Sequence, residues 1–162
     1  MARDDPSTGA RRADSGRSSP TAAQWFCLLV GLGLLAVGGL GFLVNSSFDE
    51  ATLALDLDDG ELINGDLFLG LFEVNGWHNI VHLVTGLVLL LGAATRGSAK
   101  AIALVSALVY AGVVAIGFID GNDVVGVIPT NVADNVLHAA LAAVGLLVAL
   151  VSPAGARASA AR

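Results

Sequence analysis

Four long apolar runs divide the chain and limit what it can fold into. They cover 26–44, about 78–94, 101–119 and about 132–151. Each holds roughly 17–21 residues, and at about 1.5 Å per residue a helix of that length crosses a hydrocarbon core of about 30 Å with little tilt. Lipid offers no hydrogen-bond partner to a bare peptide group, so each run must be helical. Composition agrees. Of the 162 residues 55% are hydrophobic and 14% charged, whereas a soluble domain carries about a quarter charged residues. The expected fold is all-α: an integral membrane four-helix bundle over 23–152, flanked by a disordered polar tail at 1–22 and a short tail at 153–162.

Charge sets the expected orientation. All eight basic residues lie before the first run (Arg3, Arg11, Arg12, Arg17), between the second and third (Arg96, Lys100), or after the fourth (Arg157, Arg162). The segment 45–77 has no basic residue. It carries Asp49, Glu50, Asp56, Asp58, Asp59, Glu61, Asp66 and Glu73, and the loop after the third run adds Asp120, Asp123 and Asp134. By the positive-inside rule both termini are cytoplasmic and the acidic loop between helices one and two faces outward. The Arg-, Ala- and Gly-rich composition suggests a GC-rich genome, hence a multi-pass protein of a bacterial cytoplasmic membrane. Lipid is the expected partner, with a homo-oligomer or a second membrane protein open and no nucleic acid.

Several signals are read as bland. Arg11-Arg12 lacks the context of an export signal, and the first run is longer than the 7–15 residues of a signal-peptide core. Cys27 stands alone, which rules out an internal disulfide and a thiolate metal site. In the outer loop, Leu53, Leu55 and Leu57 alternate ahead of an Asp59-Gly60 turn, the pattern of a short hairpin. Residues 67–74 are apolar again and are expected along the membrane interface. The acidic stretch at 56–61 is a poor calcium loop, because Gly60 occupies a ligand position.

Chemistry concentrates where helices two and four begin. Helix two opens Trp77-His78-Asn79-Ile80-Val81-His82, and helix four Asp134-Asn135-Val136-Leu137-His138. Both contain Asn-x-x-His with a small residue four positions on, Gly86 and Ala142. The shared pattern is a weak internal repeat of a two-helix unit about an axis along the membrane normal. Residues three apart share a helix face, and polar groups in lipid turn inward. Asn79, His82, Asn135 and His138 are therefore expected to face one another. The leading reading is interhelical hydrogen bonding in a non-enzymatic protein. The alternative is a metal- or haem-binding protein. His78 and His82, four apart, would share zinc, copper or nickel with His138 and Asp134, or His82 and His138 would clasp a haem. No outer Arg or Lys stands ready for haem propionates. Ser106, Tyr110 and Thr85 are the notable polar residues deeper in, so a transport path would stop halfway. No catalytic residue set is evident. Gly31, Gly38 and Gly41 form a stripe on helix one, either a dimer seam or close packing within the bundle.

The stretch Phe72-Glu73-Val74-Asn75-Gly76-Trp77-His78-Asn79-Ile80-Val81-His82-Leu83-Val84-Thr85-Gly86 resembles the signature of domain-of-unknown-function family 4383, small four-helix membrane proteins common in actinobacteria. Asp134-Asn135-Val136-Leu137-His138 resembles that family's second signature, at its last helix. The resemblance covers roughly 24–151. Asn79, His82, Asn135 and His138 fall on the motif positions. It implies topology and compartment, and brings no established activity.

Overall fold

The computed structural model describes residues 19–48, 54–55, 62–63, 66–120 and 123–154. The acidic 56–61 stretch with its Asp59-Gly60 turn lies outside the described residues, as do the tails apart from 19–22 and 153–154.

Capping residues set where the helices begin. α1 (Ala22–Gly41) starts ahead of its apolar run because Thr21 and Gln24 form a capping box: Gln24 N–H donates to Thr21 Oγ1, and Thr21 N–H to Gln24 Oε1. α2 (Gly76–Gly92) is capped by Asn75, whose Oδ1 accepts from His78 N–H. α3 (Arg96–Asp120) opens at Thr95, whose hydroxyl accepts from Ser98 N–H. α4 (Val132–Val151) has a second capping box, Asn131 with Asp134. Three of the four (α1, α3 and α4) are long and apolar enough to cross a membrane. α2, with 17 residues, reaches about 25 Å, the short end of the spanning range.

The bundle has the inside-out polarity of a membrane protein. Large apolar side chains point outward, among them Leu29, Leu32, Leu87, Leu91, Leu108 and Leu147. The buried faces carry Gly, Ala, Asn and His instead. Without a hydrophobic drive between helices, close backbone approach does the packing. Gly31 and Gly86 meet across the α1–α2 crossing: a Cβ on Gly31 would lie 3.0 Å from the Gly86 carbonyl oxygen. Gly38 and Gly41 pack on Asn79 and Leu83 of the same partner helix. The glycine stripe is thus an internal seam. At the end distal to the hairpins, Ala23, Phe26, Cys27, Leu89, Ala99, Ala103 and Ala149 form the apolar core. Here Cys27 is buried, its thiol 3.6 Å from the Ala99 carbonyl. Polar ties close this end: Lys100 Nζ donates to Ser152 O, Arg96 to Ser19 O, and Ala23 N–H to Ser152 Oγ.

Hairpins cap the opposite end. β1 (Ala54–Leu55) pairs antiparallel with β2 (Leu62–Ile63), the region expected to form a hairpin. Residues 67–74 do not lie flat as one segment. β3 (Asp66–Phe68) folds back on β4 (Phe72–Val74), because Leu69 and Gly70 adopt φ of 55° and 68° and reverse the chain. A matching pair, β5 (Asp123–Val124) and β6 (Ile128–Pro129), turns at Val125 and Gly126, with φ of 53° and 73°. Positive φ at both central residues is the requirement of a type I′ turn.

These paired features express an internal repeat. α1 packs mainly on α2, and α3 mainly on α4. Apart from the added β1–β2 pair of the first half, each half reads helix, hairpin, Asn cap, helix. The two caps also cross over. Asn75 Nδ2 donates to Val127 O at 2.8 Å, and Asn131 Nδ2 to Leu71 O at 2.7 Å. Each cap thereby holds the equivalent carbonyl of the other half's hairpin, as a two-fold relation requires.

Candidate functional site

The two caps fix the depth of everything behind them. His82 and His138 each stand seven residues beyond their capping Asn, about 9 Å into their helices. Asn79 and Asn135 stand four beyond it. Both halves therefore deliver the same residue pair at one level, with helix geometry alone setting the level.

The polar residues do not all meet. Asn79 turns into the α1–α2 seam, where its Nδ2 donates to Asn45 O at 2.9 Å and its amide abuts Gly41. Asn135 turns into the α3–α4 seam, where its amide fills the space above Gly117. The expected face-to-face meeting of the two asparagines is replaced by two equivalent Asn–Gly contacts, one per half. A Gly on the partner helix leaves room for an amide there, so each Asn packs within its own unit. The histidines converge instead.

His78, His82 and His138 form a compact trio. His78 Nε2 lies 3.1 Å from His82 Nε2. The His138 ring centroid is 6.2 Å from that of His78 and 6.4 Å from that of His82. One ring nitrogen from each can be chosen so that all three lie within 4.8 Å of one another. Tautomers follow from the surroundings. His78 Nδ1 faces the Glu73 carbonyl at 2.8 Å. A carbonyl only accepts, so Nδ1 carries the proton and Nε2 of the neutral ring presents its lone pair. The Nδ1 atoms of His82 and His138 are buried with no hydrogen-bond partner among the described residues.

A cavity of about 60 Å³ adjoins the trio, lined by all three histidines together with Tyr110, Thr130 and Thr85 among others. Tyr110 stacks on His138 with ring centroids 5.3 Å apart. The hydroxyls of Tyr110 and Thr130 are buried and unpartnered among the described residues.

Asp134 does not join the trio. Its Oδ2 accepts from Glu73 N–H at 3.0 Å and Asn131 N–H at 3.1 Å. As the third residue of α4 it is committed to the capping box and to fastening β4. Its repeat counterpart is His78, so one half presents an imidazole where the other presents a carboxylate.

Residues 24–151 match the family described as "Domain of unknown function (DUF4383)". The chain belongs to this family. No curated protein and no solved structure matches it. The DUF4383 match spans both halves of the repeat, the four helices and the trio.

The fit of the candidate cofactors to this DUF4383 bundle differs sharply. Haem does not fit: at about 60 Å³ the cavity beside the trio is far smaller than a porphyrin. A single metal ion is compatible with the trio. Two nitrogens on one tetrahedral zinc, each about 2.0–2.1 Å from it, sit about 3.3 Å apart. His78 and His82 are already near that separation, and His138, whose ring nitrogen lies within 4.8 Å of theirs, would close the set by moving inward. Tyr110 and Thr85 stood out in sequence only as polar residues deep in their helices, with nothing to join them to the histidines, and Thr130 did not stand out at all. The one available signal for Thr130 was its place in the repeat, where the first half has Val74.

Proposed function

We propose that this membrane protein binds one divalent transition-metal ion between α2 and α4 through His78, His82 and His138. Zinc suits three imidazole nitrogens, and copper and nickel share that ligand preference. The observation that carries the reading is the close approach of three ring nitrogens from two helices. The Glu73 carbonyl supports it, because a metal-binding imidazole usually donates its other N–H to such an acceptor, which fixes the ring. Electrostatics favour a cation here. Asp134, Glu73 and Asp123 are buried at the hairpin end, and every Lys and Arg of the described residues lies at the other. The same charge separation supports a location on the outer side of a bacterial cytoplasmic membrane, with both termini in the cytoplasm.

The test is metal content and titration. Protein purified in mild detergent, stripped with chelator and titrated calorimetrically with zinc should take up one ion per chain. His82→Ala and His138→Ala should each abolish uptake. Failure to bind zinc, copper or nickel stoichiometrically, or retention of binding in the double variant, overturns the proposal. A second reading, in which the histidines simply join the helices, draws on the direct His78–His82 hydrogen bond. Under it, His138→Ala lowers thermal stability by the same amount with and without added zinc.

A further inference from the structure

Resting on the metal-binding reading, we infer that the ion keeps one coordination position open toward the cavity, for a small monodentate ligand such as water or a small anion. Among the described residues the group supplies three ligand atoms and no fourth. Tetrahedral zinc needs four, and sites closed by protein on all four sides are the structural ones. The nearest carboxylate in sequence, Asp134, spends its Oδ2 on two backbone N–H groups. Among the described residues no protein group takes the fourth position, which leaves it to a ligand from the cavity.

The cavity defines what can enter. At about 60 Å³ it has room for only a few water-sized molecules. Two of its polar groups are strongly buried and lack partners among the described residues: Tyr110, 6% exposed, and Thr130, with no exposure at all. Buried hydroxyls are nearly always hydrogen-bonded. A ligand on the metal satisfies both, with the hydroxyls donating to it. Apart from Thr85 the remaining wall is apolar, with Val81, Val109, Val113 and Ile128, and offers little to a larger polar molecule. Size and donor chemistry together select a ligand of two or three atoms.

Cobalt(II) substitution tests this with a readout independent of any activity. The stripped protein is loaded with Co²⁺, and its visible absorption is followed as sodium azide is added. Saturable change in the cobalt bands is the expected result. Tyr110→Phe and Thr130→Val should each weaken azide affinity by about tenfold, the loss of one hydrogen bond to a charged ligand. Cobalt bands unmoved by azide overturn the open position while leaving the metal site standing. Azide affinity unchanged in both variants overturns the cavity as its location. Absence of cobalt bands removes the metal site and this inference together.

Discussion

The contact between Asn135 and Gly117 yields a quantitative test of the packing. A Cβ built on Gly117 lies 2.6 Å from Asn135 Oδ1 and 3.0 Å from Nδ2, roughly 1 Å inside ordinary van der Waals contact of about 3.5 Å. Asn135 is 2% exposed and has nowhere to swing. Overpacking of this kind costs about 1–3 kcal/mol. The better helix propensity of Ala returns at most about 1 kcal/mol. Gly117→Ala should therefore destabilise by about 1–2 kcal/mol. Asn135→Ala alone should also destabilise, because it leaves a gap over a glycine. Combined, the two changes relieve each other: the new methyl occupies part of the gap. The double variant should be more stable than the sum of the singles by at least about 1 kcal/mol, the coupling expected of side chains in contact. Reversible unfolding in mixed detergent micelles, followed by circular dichroism, measures all four corners of the cycle. Effects additive within about 0.5 kcal/mol would refute the packing. The cycle of Gly41 with Asn79 should have the same sign and a larger size, since Gly41 approaches its amide more closely still.

Asn75→Ala should cost about 2 kcal/mol, one part from the lost cap of His78 N–H and one from the lost bond to Val127 O; the same unfolding assay checks it, and a loss under about 0.5 kcal/mol counts against the crossed caps. Asn131→Ala, which loses the cap of Asp134 N–H and the bond to Leu71 O, should match it. Val125→Gly should raise stability by about 0.5–1 kcal/mol, because a β-branched residue is strained at φ 53° and this one is exposed, with little packing to lose; a fall in melting temperature contradicts that. For orientation, a cysteine placed at Val125 in a Cys27→Ser background should react in intact cells with a membrane-impermeant maleimide. A tag after Arg162 should stay hidden from antibody until the cells are opened.

The helices were legible because lipid imposes one strong rule on a long apolar run, and 101–119 or 132–151 satisfies it without any knowledge of neighbours. Their starts were less so. Thr21 with Gln24, and Arg96 five residues ahead of the apolar run that opens at Ala101, extend helices into polar sequence through capping and end effects that hydropathy does not register. In the site, His82 and His138 could be placed at equal depth from the repeat alone. The direction of Asn79 and Asn135 could not, because it depends on which partner helix offers a glycine: Gly41 and Gly117 lie 38 and 18 residues away along the chain. The hairpin at 66–74 was hidden for a related reason. Leu69-Gly70 and Val125-Gly126 take left-handed turns without the Asn-Gly or Asp-Gly pair that signals one. Once the two turns are compared, each vouches for the other.

The crossed caps have a mechanical consequence. At the hairpin end the two halves are joined through both asparagines, so parting them there means freeing two amides together. Two imidazoles ride on α2 and one on α4, no more than about 9 Å behind this clasp. With Ala23 and Ser152 tying the far end as well, the spacing of the three rings is held from both sides.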